Sequence, residues 1–196
     1  MKQLATTIRF FLGLGAVIIL AGTAPTIGHA ADKVIKIALD LSLTGADAQS
    51  ATREKDAMQM AFDAANQDNA VPGYRFELMI LDDGTATAGE YDPAQAMANA
   101  RKLVSDKDVV GALGPKMSGA GKAMTPFLSE GGLATITPTS TNPDITDPKF
   151  AAQYRPEGKP IYFRTVTTDA FQGPTMANFF AEKLKVKSVT ITEVCW

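Results

Sequence analysis

The sequence predicts an α/β fold, an open sandwich built on a parallel sheet. Two observations predict it. Short apolar, β-rich runs alternate with helical patterns along the chain, and runs such as VVGAL at residues 109–113 are apolar on both faces. A strand buried on both faces belongs in a sheet that helices cover from both sides. There is no internal repeat and no low-complexity tract.

The predicted strands are residues 34–43, 75–81, 109–113, 133–137, 161–166 and 188–194. The first helix is predicted over residues 51–66, where Met58, Ala61, Phe62 and Ala65 recur on one face. A second runs over 92–105. Asp92 is its N-cap, Pro93 takes the first helical position, Gln95 completes a capping box, and Ala96, Ala100 and Leu103 face inward. A third opens at Ser118 and stops near Gly131, which suits a left-handed C-cap. A fourth covers 172–184, with Met176, Phe179 and Phe180 apolar. Residues 142–160 carry Pro143, Pro148, Pro156 and Pro160 and read as a long surface loop. The final predicted strand enters a new sheet just before Trp196, with nothing after it to cover it.

Residues 1–30 stand apart. Lys2 and Arg9 flank the start of an apolar run over 10–24, and Gly28-His29-Ala30 places small residues at a cleavage site, the pattern of a secretory signal peptide. The run is too short and too broken by Gly13, Gly15 and Pro25 for a membrane-spanning helix. Thr23 stands where a lipidated signal carries Cys. The mature protein is therefore expected outside the cytoplasm. Taking Lys2 and Arg9 from the 19 basic residues leaves 17 against 21 acidic ones, a net charge of −4, which argues against nucleic acid as a partner. One Cys, Cys195, and one His, His29, leave no His-based catalytic triad and no ordinary zinc site. No cofactor and no metal are expected.

The strand, glycine turn and helix of VVGALGPKMSGAGKAM, residues 109–124, form a common anion-holding arrangement. A nucleotide P-loop is excluded, because Ala123 follows Gly121-Lys122 and Lys116 stands where the first glycine belongs. A dinucleotide fingerprint is absent from the first turn, LTGADA at residues 43–48. What remains is a helix start at Ser118, with free N–H groups and one hydroxyl, suited to one carboxylate. Ser118 capping its own helix and binding nothing is the plainer alternative. Thr139, Ser140 and Thr141 crowd the carboxyl end of the next strand, where ligands of open α/β sheets gather.

Six segments in order, IKIALDLSLTG (35–45), LDDGTAT (81–87), ARKLV (100–104), VVGALGPKMSG (109–119), ITPTSTNPDIT (136–146) and FRTVTTDAFQGP (163–174), resemble the leucine/isoleucine/valine-binding proteins. These are periplasmic receptors of ABC importers, so the resemblance implies that the exported chain works in the periplasm. The resemblance implies a type I periplasmic binding protein fold, two α/β lobes that close on a branched-chain or related amino acid, and a permease partner in the inner membrane. It implies no enzymatic activity. Residues 31–166 match the first lobe and 167–196 the beginning of the second. Ser118 matches the helix-start serine that bonds the ligand carboxylate. Thr139 and Ser140 match backbone positions that meet the ligand, and Thr141 a threonine that uses its hydroxyl and N–H. Ser50 falls where an aromatic residue commonly lines the pocket. The family's frequent first-lobe disulfide is absent.

The ammonium-binding acid, the second-lobe aromatics and the segment that returns to complete the first lobe match nothing in the chain. Glu193-Val194-Cys195-Trp196 departs from the family's continuation, as a frameshift or truncated gene would produce. The lone lobe is expected to bind weakly. Two alternatives keep their place: the same fold gripping a short amide or urea, and an exported hydrolase using Ser118 with Lys122, four residues on.

Overall fold

A computed structural model describes residues 33–190. Its five strands are β1 (Lys33–Leu41), β2 (Tyr74–Asp82), β3 (Val109–Leu113), β4 (Thr135–Thr137) and β5 (Tyr162–Arg164). They form one sheet in the order β2-β1-β3-β4-β5, every pair parallel. The helices are α1 (Ala48–Gln67), α2 (Pro93–Ser105), α3 (Ser118–Glu130), the short α4 (Ala151–Tyr154) and α5 (Asp169–Asn178), which runs into a π-helical turn at Phe179–Lys183.

This order decides where the helices go. The chain steps from β1 to β2 in one direction, then crosses back over β1 to β3 and continues the other way. Right-handed crossovers therefore place α1 on one face of the sheet and α2 and α3 on the other. Alternate side chains of β1 serve the two faces: Leu39 and Leu41 pack with Ala51 of α1, while Ala38 joins Ala96, Ala100 and Leu103 of α2 and Met124 and Leu128 of α3. Fully buried leucines such as Leu39, Leu41, Leu103 and Leu128 each contribute about 1.5–3 kcal/mol relative to exposure.

The expected cover on both faces is complete only on the α2–α3 side. On the other face α1 lies over β1 and β2, and Val110, Ile136 and Phe163 on β3, β4 and β5 remain 63%, 43% and 47% exposed. Ile136 and Phe163 are in register, so they form one apolar strip.

Asp92 caps α2 as expected, accepting from the N–H groups of Ala94 at 2.8 Å and Gln95 at 3.2 Å, with Pro93 behind it. Only half of the capping box forms. The Gln95 amide reaches forward to Asn99 at 2.9 Å, because the Asp92 N–H already donates to the Asp83 carbonyl. At the end of α3 the left-handed residue is Gly132, with φ +66°, and not Gly131, with φ −81°. Gly131 is small for another reason: a Cβ there would lie 2.3 Å from Val104 Cγ1.

Residues 142–160 are not an irregular surface loop. They contain 3-10 turns at Pro143–Ile145 and Pro148–Phe150 followed by α4, with Ile145 and Tyr154 buried. Pro143 and Pro148, two of the four prolines read as loop markers, are helix starters: each follows a side-chain cap, Asn142 accepting from the Asp144 N–H and Asp147 from the Lys149 N–H, while Pro156 and Pro160 lie outside any helix. The fourth predicted helix begins earlier, at Asp169, and buries none of its residues. Residues 188–190 take no regular structure. Residues 1–32, with the expected signal peptide, and the tail at 191–196 lie outside the described residues, and no described helix is long and apolar enough to cross a membrane.

Candidate functional site

In a sheet of order 2-1-3-4-5 the chain reverses direction between β1 and β3, and the loops leaving their carboxyl ends part to opposite faces, opening a crevice. The loop after β3 enters this crevice at close quarters. Gly114 has φ +98°, and a Cβ there would lie 2.2 Å from the Asp40 carbonyl oxygen, so only glycine fits.

Three threonines of the β4 end hold that loop by successive carbonyls. Thr135 Oγ1 donates to Gly114 at 2.5 Å, Thr137 Oγ1 to Pro115 at 2.6 Å and Thr139 Oγ1 to Lys116 at 2.9 Å. Alternate residues of a strand face one way, so the every-second-residue threonines in TITPT form a single row. That two-residue period is visible in the sequence and marks a structural row. Thr139 therefore spends its hydroxyl on the scaffold. Its N–H and that of Ser140 turn to Thr137 Oγ1, at 3.4 and 3.0 Å.

Ser118 is not a helix cap. Met117 takes the extended N-cap conformation with no side-chain cap bond, and Ser118 is the first residue of α3. Its Oγ accepts from the Asn142 N–H at 3.2 Å and from Ser140 Oγ at 3.3 Å, leaving its own proton to donate. Asn142 claims that hydroxyl, which is why the helix end goes without it.

Arg164, at the end of β5, sets the loop after β4. Its Nε donates to the Ser140 carbonyl at 3.0 Å, one amino group to the Asn142 carbonyl at 2.9 Å and the other to Thr146 Oγ1 at 2.7 Å. The Asp169 N–H takes the Thr141 carbonyl at 3.0 Å. With these carbonyls drawn to one side, Thr141 is the residue whose N–H and hydroxyl make no hydrogen bond among the described residues. Ser118 and Thr141 thus present two hydroxyl protons and an amide proton, beside the unsatisfied N–H groups that open α3.

Across the crevice, Lys116 reaches back to the first turns of α1. Its Nζ donates to Ser50 Oγ at 2.5 Å and Glu54 Oε1 at 2.6 Å, and lies 3.2 Å from Asp47 Oδ2. Burial works against its charge, but its interactions with the Glu54 and Asp47 carboxylates outweigh that and lift its pKa above the usual lysine value. No local pattern marks this cluster, because Lys116 lies more than sixty residues along the chain from Ser50 and Glu54. Ser50 is accordingly brought to the crevice, bonded to Lys116.

Beneath lies a buried polar layer. Asp82 accepts from the N–H groups of Leu43 (2.8 Å), Thr44 (3.3 Å) and Gly84 (2.8 Å) and from Thr44 Oγ1 (2.6 Å), fastening the loop after β1 to the loop after β2. Asp40 and Asp83 are fully buried. Asn99 donates to Asp40 at 2.6 Å and Ser42 to Asp83 at 2.6 Å. Desolvation, and for Asp40 the neighbouring Asp83 charge, push both carboxyls above their ordinary range.

Lys122 does not serve Ser118. Its Nζ bonds Asp144 at 2.8 Å, and that bond raises its pKa, the reverse of what a general base needs. No cluster of three or more metal-ligating side chains exists among the described residues.

Residues 34–193 match the model of the family described as periplasmic binding protein. The leucine-, isoleucine-, valine-, threonine- and alanine-binding protein of Pseudomonas aeruginosa is 34% identical over 180 residues, 91% of this chain and 43% of its own length. The Leu/Ile/Val-binding protein of Escherichia coli K12 is 29% identical over 80% of this chain and 38% of its own. Among solved structures, the branched-chain amino acid transporter substrate-binding protein LivJ of Streptococcus pneumoniae, in complex with isoleucine, superposes with a TM-score of 0.62 at 27% identity. It covers 78% of this chain and 39% of its own. This chain thus spans about two fifths of the relatives it matches. From a parallel sheet whose carboxyl edge gathers Ser118, Thr141 and Lys116, and from that match over most of its length, the chain belongs to the periplasmic binding protein family.

Proposed function

We propose that residues 31–166 are the carboxylate-gripping lobe of a periplasmic receptor that delivers an amino acid to an ABC importer permease in the inner membrane. Residues 167–196 begin the second lobe, and residues 1–30 export the protein. The observation that carries this reading is the unspent donor set at Ser118 and Thr141, aimed from two adjacent strand ends beside the start of α3. Three or four such bonds to a carboxylate give roughly 5–12 kcal/mol gross, of which about 4 kcal/mol or more goes to immobilising the ligand. For residues 31–166 taken alone and open to water, the net corresponds to binding at about millimolar level.

The uncovered strip of Val110, Ile136 and Phe163 supports the view that a complete receptor packs further chain there. A short amide or urea in place of the amino acid is the second reading, since the same donors bond a carbonyl. Both are tested by following backbone amide signals of the chain during NMR titration. An amino acid at about 10 mM is expected to shift Ser118, Gly119 and Thr141, and its carboxamide analogue to shift them several-fold less. Equal response to both favours the uncharged ligand, and no response at these three overturns the site.

A further inference from the structure

Tyr162, the first residue of β5, is buried with 3% of its surface exposed, yet its hydroxyl makes no hydrogen bond. A buried hydroxyl without a partner costs free energy that a phenylalanine would not, so the group calls for a use. Its oxygen lies against the first turn of α3, where a Cβ on Gly121 would stand 2.5 Å from it. That turn carries Ser118, and the Gly121 N–H is already given to the Met117 carbonyl. The hydroxyls beside the phenol are those of Ser140 and Thr137.

Valence chooses between them. Thr137 Oγ1 gives its proton to the Pro115 carbonyl at 2.6 Å and accepts the N–H groups of Ser140 and Thr139 at 3.0 and 3.4 Å, so it has neither a proton nor a lone pair to spare. Ser140 Oγ donates to Ser118 Oγ at 3.3 Å and accepts nothing among the described residues. Burial lifts the phenol pKa above the ordinary tyrosine value, against the opposing pull of Ser140, Thr137 and Arg164. The phenol therefore keeps its proton at neutral pH and has one acceptor with room for it.

We infer that Tyr162 is a positioning residue for the ligand: when a carboxylate draws on Ser118, Tyr162 donates to Ser140 Oγ, Ser140 to Ser118 Oγ, and Ser118 to the carboxylate. This rests on the carboxylate reading above. With no donor behind it, Ser140 accepts as readily as it donates, and Ser118 can turn its proton inward. Ser118 then shows the ligand a lone pair, which repels a carboxylate. A chain of hydroxyls running in one direction also polarises along its length and strengthens the last donor. Tyr162 acts from behind the site, while Ser118 and Thr141, both half-buried, meet the ligand.

The test is a double-mutant cycle on leucine binding, read from the backbone amides at positions 118, 119 and 141. Tyr162→Phe keeps the ring and loses a hydroxyl that holds nothing, so the fold is retained; leucine is expected to bind about three- to tenfold more weakly. In a Ser118→Ala background, where the chain has lost its end, the same change is expected to leave the remaining affinity unaltered, and in a Thr141→Val background to act in full. Unchanged affinity in Tyr162→Phe overturns the inference. So does a loss as large with Ser118→Ala as in the parent, which reduces Tyr162 to packing. In both cases the carboxylate site stands. No response of the parent to leucine at the three positions sinks the carboxylate reading, and the inference with it.

Discussion

Arg164 Nε donates to the Ser140 carbonyl at 3.0 Å, and through that bond the last strand of the sheet governs the loop that follows its neighbour. Two further bonds, to Asn142 and Thr146, use the planar fork of the guanidinium in a way a single ammonium cannot copy. Arg164→Ala is expected to lower stability by about 2–4 kcal/mol in urea denaturation, since hydrogen bonds to a charged group are worth about 1.5–3 kcal/mol each before discounting for partial exposure. Arg164→Lys is expected to recover less than half of the loss. A midpoint unchanged in Arg164→Ala removes the guanidinium from its role as the loop's organiser.

Ser118 and Thr141 separate structural from binding roles. Thr141→Val removes a hydroxyl that bonds nothing among the described residues, so stability is expected to stay within about 0.5 kcal/mol. Ser118→Ala strands the Asn142 N–H and is expected to cost about 1 kcal/mol. Both are expected to weaken carboxylate binding about tenfold. Thermal denaturation alongside NMR titration distinguishes them; a Thr141→Val protein that binds as the parent does places the ligand elsewhere.

How much of this was legible in the residues themselves depends on range. The strand and helix alternation showed the parallel sheet, and Asp92-Pro93 showed the start of α2, because periodicity and capping are local. The resemblance supplied Ser118 and Thr141 as neighbours. Local rules misassigned Ser118 as a cap and residues 142–160 as a loop, because Asn142, a residue on another strand's loop, takes the Ser118 hydroxyl and also caps a proline-led turn. Lys116 was invisible as a functional residue for the same reason, its partners lying more than sixty residues earlier in the chain. Asp82 and Asp83 looked alike in LDDG, yet one collects N–H groups at a loop crossing and the other is buried against Asp40.

That last pair makes stability depend on pH. Asp40 and Asp83 each hold one oxygen in a hydrogen bond, to Asn99 and Ser42, and each has a second buried oxygen without a donor. A proton shared between the two carboxyls satisfies both. Burial raises the Asp40 pKa well above its ordinary value of 3.8, the Asp83 charge adds to it, and Asp83 shifts in the same direction. The folded state therefore binds more protons than the unfolded one above that value. Its stabilising effect is complete below the unfolded pKa and is lost as pH rises through the folded one. The unfolding free energy is expected to fall as pH rises above the ordinary carboxyl range and through the raised pKa of the folded pair. Asp40→Asn keeps an acceptor for Asn99 and supplies Asp83 with a permanent N–H donor, so its stability is expected to vary less over that range and to exceed the parent's at the alkaline end. Urea denaturation at several pH values decides it: parallel curves for parent and Asp40→Asn mean that the two carboxyls do not share the proton.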